Sequence, residues 1–138
     1  MAEIKSGLTA QHVVFWRLIQ ANVISSTSLT GGIFKARRPK DSKLEDIVVR
    51  TLAINGDQVQ EGVVNVNVHV PNLKLTDDST QPDEDRFTEI TDAVLVALKD
   101  YRGFDFWFTV KVPGLLYPDG NNWFSNIQIE YTTLQKEN

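Results

Sequence analysis

Two histidines, His12 and His69, are the only imidazoles in the 138 residues, and no serine or cysteine nucleophile motif accompanies either. Each therefore reads as a surface or interface histidine. The acids Asp77, Asp78, Asp83, Glu84 and Asp85 offer oxygen ligands for a divalent ion. A calcium loop, however, needs alternating ligands, a central glycine and a closing glutamate, and Pro82 stands where the glycine belongs. The cluster fits the acidic first turn of a helix instead. The glycines fall at turn positions without a phosphate-cradling pattern, and nothing selects a pair of carboxylates for acid/base work. The expectation is a protein that is not an enzyme, with no catalytic residues, no metal and no cofactor.

Two other groups carry recognition chemistry. The run Lys35-Ala36-Arg37-Arg38-Pro39-Lys40 places Lys35, Arg37, Arg38 and Lys40 within six residues. These cations suit contact with an acidic partner or with DNA passing without sequence specificity. Charge and proline also guard a strand end against edge-to-edge pairing, and protection or protein contact is the weightier reading. The second group is apolar: Phe15, Trp16 and Ile19, with Leu115, Leu116 and Tyr117. Either a second layer buries them or they form a subunit interface.

The chain that must position these residues is of single-domain length and long enough for its own core. It has no cysteine, so disulfides and thiolate metal sites are excluded. A net charge of -4 and a pI near 5.1 argue against a dedicated nucleic-acid binder. With no secretory pattern at Met1–Gly7 and no membrane-length apolar run, a soluble protein made in the cytoplasm, without membrane contact, is expected.

Helical spacing from Thr9 to about Ile24 puts Val14, Leu18 and Ala21 on one face, with Thr9 as cap and Leu8 stapling onto Val13. Strands follow at Ile33 to Arg37, Ile47 to Ile54 and Val63 to Val70, the last alternating Val64, Val66, Val68 and Val70 with Asn65, Asn67 and His69. A second amphipathic helix begins after Pro82 and runs to about Tyr101 on Phe87, Ile90, Val94 and Leu98. Two closing strands, Phe104 to Val112 and Trp123 to Leu134, flank a loop from Pro113 to Asn122. The expected fold is a single α+β domain over residues 1–138: a mainly antiparallel sheet with two helices on one face, in the order α-β-β-β-α-β-β.

This order resembles the small tail-completion and tail-terminator proteins of long-tailed bacteriophages, the Gp17-like minor tail proteins. The likeness spans the N-terminal helix, Gly32-Ile33-Phe34 with Pro39, the strands near Ile47 to Leu52 and Val64 to Val70, the helix Phe87 to Lys99, and a hairpin with Tyr117-Pro118-Asp119-Gly120 before Ile127 to Tyr131. The chain departs from the pattern by carrying Glu45-Asp46 where members often have a second proline. The resemblance implies a non-enzymatic virion component forming a homo-oligomeric ring, usually six-fold, at the head–tail junction. Such a ring terminates the tail tube and docks the head–tail connector, so the tail tube protein and the connector protein are the implied partners. The alternative is a small adaptor or ligand-binding domain unrelated to phage.

Overall fold

The computed structural model describes residues 4–134. Its elements are α1 (Gly7–Gln20), α2 (Val23–Thr27), β1 (Ile33–Lys35), β2 (Asp46–Ile54), β3 (Val59–His69), α3 (Glu84–Leu98), β4 (Phe106–Asp119) and β5 (Asn122–Leu134). The strands form one sheet in the order β1-β2-β3-β5-β4, antiparallel throughout except where β1 runs parallel to β2. The fold is α+β, with the short α2 added to the expected order.

The alternation in β3 decides the layering. Val64, Val66 and Val68 are fully buried and pair with Thr51, Val49 and Ile47 on one side and with Ile129, Ile127 and Ser125 on the other. Paired residues share a face, so this apolar row is the floor on which Ala10, Val14 and Leu18 of α1 and Phe87, Ile90 and Val94 of α3 sit. The opposite face carries Arg50, Asn65, Asn67, His69, Phe124 and Asn126 by the same register, and no helix among the described residues lies on it.

β1 ends earlier than expected, at Lys35, β3 begins earlier, at Val59, and α3 ends at Leu98, while three further boundaries move for a local reason. The cap of α1 is Ser6, whose Oγ accepts from the Thr9 amide at 3.2 Å, and Leu8 is 75% exposed, so it staples nothing. The chain before the cap is pinned to β3: the Lys5 amide donates to Gln60 Oε1 at 2.9 Å and Gln60 Nε2 returns a bond to the Lys5 carbonyl. The helix then breaks at Asn22, which takes the left-handed conformation (φ 56°) that asparagine tolerates, and α2 restarts at a new angle. Lastly, Pro113 to Asn122 is no loop: β4 continues to Asp119 and turns through Gly120 (φ 62°) and Asn121 into β5. Pro113 and Pro118 are tolerated because β4 is an edge strand, and register shifts at Val110/Val112 and Pro113/Leu115 absorb the irregularity, with Gly114 at φ 109°.

Candidate functional site

The β1 margin of the sheet holds the first candidate group. One flank of α1 faces α3, since Arg17 donates from Nε to the Ala97 carbonyl at 2.7 Å and lies 4.2 Å over the Tyr101 ring. The other flank faces β1: the Lys35 ammonium sits 5.1 Å from the Phe15 ring and 3.3 Å from His12 Nδ1. Phe15 and Ile19 are half-buried against the core. Trp16 remains 45% exposed, held edge-on against His12 and Phe15 with centroids 5.9 Å away in each case. The helix is thus apolar beyond its buried stripe, with Leu8 and Trp16 its exposed apolar side chains.

The β4 margin holds the second group, and the strand periodicity divides it. Leu115 and Tyr117 pair with Asn126 and Phe124, point to the helix-free face and are 55% and 41% exposed. Leu116 pairs with Ser125 on the opposite face and packs on the core. Tyr117 stacks on Phe124 (5.8 Å), which meets His69 (5.9 Å), so a row of three rings crosses β4, β5 and β3. Beside this row Asn126 Nδ2 donates to Asn67 Oδ1 at 2.7 Å and to Asn65 Oδ1 at 3.2 Å. The helix-free face is therefore an ordered polar and aromatic surface.

His69 titrates with the fold. Its partial burial and then the nearby Arg38 charge lower its pKa to about 4, against the opposing pull of Asp46 and Asp119. The unfolded chain takes up this proton near pH 6.5, the folded chain only near 4. Stability is therefore complete above the unfolded value and is lost as pH falls toward the folded one. Urea titrations across this window are expected to show a decline on the order of 2 kcal/mol that His69→Gln flattens.

The cations of the basic run divide, with Arg38 separated from the other three. Arg38 is committed internally: its Nε donates to Asp46 Oδ2 at 2.9 Å and its Nη2 to the carbonyls of Leu44 (2.9 Å) and Ser42 (3.2 Å). Asp46, 1% exposed, also accepts from Ser42 Oγ at 2.6 Å and from the Gly32 amide at 3.3 Å. Lys35, Arg37 and Lys40 are all exposed, Lys35 with its ammonium against α1. Sequence reasoning missed the neighbouring acid. Glu45 is 8% exposed and receives Arg86 through both carboxylate oxygens, at 2.5 Å from Nε and 2.7 Å from Nη2. This pair ties α3 to the start of β2, and Arg86 also caps the end of α2 through the Thr27 carbonyl at 2.6 Å.

Among the described residues no group of three or more His, Cys, Asp or Glu side chains is placed to hold a metal ion, and no helix is long and apolar enough to cross a membrane. No protein-family model matches the chain, and no curated protein is significantly similar to it. The surfaces best suited to recognition are thus the two margins, one centred on Trp16 and the other on Leu115 and Tyr117.

Proposed function

We propose that this chain is a non-enzymatic virion subunit of a long-tailed phage that closes into a hexameric ring at the head–tail junction, ending the tail tube and docking the connector. The observation that carries this reading is that two of the exposed apolar groups, Trp16 and the pair Leu115 and Tyr117, lie toward opposite sides of the sheet. Trp16 lies on α1 against His12 and Phe15, the residues that Lys35 of β1 meets, and Leu115 and Tyr117 lie on β4, with β2, β3 and β5 between those two strands. Four interstrand spacings separate these edges by about 19 Å. An isologous dimer needs one self-complementary patch, whereas two unlike patches on opposite flanks allow each copy to follow the last, and such head-to-tail contacts generate rings when the rotation closes.

The order of segments, which resembles that of tail terminators, supplies the particular assembly. In that setting the ring stacks on the tail tube protein, faces the connector protein and lets DNA pass through its channel. Negative-stain images of the purified chain are expected to show rings with a central hole. Mixed with a polymerising tail tube protein from the same phage, the chain should appear at tube ends and shorten the tubes. Rings that ignore tube ends would remove the phage assignment while leaving the assembly.

A further inference from the structure

The two margins differ in charge as well as position, and the difference is complementary. The connection from Ala36 to Glu45 joins parallel strands, so it must travel back along the β1 edge to restart at Asp46. Lys35, Arg37, Lys40 and Lys43 are exposed on it and at its base, with Asp41 the one acid among the exposed residues. Leu44, 51% exposed, adds an apolar contact beside them. At the opposite edge, the start of α3 and the bulged middle of β4 enclose an open groove lined by Glu84, Asp85 and Asp92 beside Leu116 and Gly114, with no lysine or arginine in its lining. The groove is formed by close approach: a Cβ on Gly114 would meet Thr91 Cγ2 at 2.6 Å, and Thr91 Oγ1 is 2.9 Å from Ser125 Oγ beneath.

Backbone pairing between copies is blocked at the same edge. The first part of β4 is covered by the segment before it, through the Phe108 amide on the Tyr101 carbonyl and the Gly103 amide on the Phe106 carbonyl, each at 2.9 Å. The middle carries two register shifts and Pro113, and the end carries Pro118. Bulges and prolines are devices that keep an edge from adding a strand. β1 offers only three residues in return. Contact between the margins must therefore be made by side chains.

We infer that the basic connection of one copy docks over the acidic α3–β4 groove of the next, so that charge pairing sets the direction and register of a head-to-tail assembly whose apolar contacts are Trp16 and Leu115. The occupant of the groove is a second copy of this chain, and the inference rests on the ring reading above. Complementary rim charges steer encounter and reject wrong pairings, and like charges placed across such a contact are strongly unfavourable. Salt screens these exposed groups, so raising ionic strength from about 0.05 to about 0.5 M weakens assembly roughly tenfold.

A charge-exchange experiment tests the pairing. One variant carries Arg37→Glu, Lys40→Glu and Lys43→Glu; the other carries Glu84→Lys and Asp85→Lys. Each alone presents like charges at every contact and is expected to run as a folded monomer in native mass spectrometry, with thermal melts confirming the fold. An equimolar mixture restores opposite charges at every contact and should reassemble as rings in which the two variants alternate. Rings from either variant alone, or a mixture that stays monomeric while the unaltered chain forms rings, overturns the pairing and leaves the ring standing. An unaltered chain that is monomeric at low salt overturns both.

Discussion

Arg86→Ala is expected to lower the unfolding free energy by about 3–4 kcal/mol, the largest effect of any single substitution outside the apolar core. The guanidinium satisfies both oxygens of Glu45, the Thr27 carbonyl at 2.6 Å and the Ser28 carbonyl at 3.3 Å, and it reaches Glu89 at 3.1 Å. Removing it leaves a carboxylate of a residue 8% exposed with Thr30 as its remaining partner, through the amide at 3.2 Å and the side chain. The cost is chiefly that of an uncompensated buried charge rather than of a lost attraction. The pH dependence of stability separates these. The Arg86 hydrogen bonds hold the Glu45 carboxyl below its ordinary value of 4.5, against the opposing effect of burial. The pair's contribution is present above that unfolded value and disappears as pH falls through the lower folded one. In the variant the buried acid gains from protonation, so the gap between the two proteins narrows in acid. Urea denaturation at about pH 7 and about pH 4 measures it; an unchanged gap would mean that the loss is one of packing.

Leu115→Asp and Leu116→Asp, adjacent on one strand, are expected to fail in opposite ways. Leu116 faces the helices and is half-buried against the core at the floor of the α3–β4 groove, so a carboxylate there loses apolar packing and costs about 2 kcal/mol of stability. Leu115, 55% exposed on the other face, gives up little in the isolated molecule, with a change within about 0.5 kcal/mol. Its expected loss is assembly. Trp16→Glu belongs with Leu115→Asp: glutamate suits a helix, and the indole packs only edge-on against His12 and Phe15. Thermal melts beside size-exclusion chromatography with light scattering read both properties together. A Leu115→Asp protein that melts early yet still assembles would reverse the assignment.

How much of this was legible in the sequence follows from how local each cause is. Val64, Val66 and Val68 alternate with polar residues, and a period of two names its own buried face; all three are fully buried. Phe87, Ile90, Val94 and Leu98 announce α3 in the same way. The strand from Pro113 to Asp119 was hidden because two prolines and a glycine are loop signals everywhere except on a bulged edge strand, and edge position is a property of the whole sheet. The candidate groups were found as groups but not as faces. Leu115, Leu116 and Tyr117 look alike in a loop and divide between two surfaces once they alternate. The cations of the basic run likewise look equivalent, yet Arg38 is spent on Asp46. Glu45 and Arg86 are 41 residues apart, and nothing local joins them.

The proposed ring requires unlike margins of one copy to meet on the next, and the mass of the unaltered chain in native mass spectrometry at low salt tests this most directly. A single closed species of several copies, six on the proposed reading, with no dimer accumulating on dilution, is the expected spectrum. A chain that stays monomeric at high concentration, or stops at a symmetric dimer, would contradict head-to-tail closure.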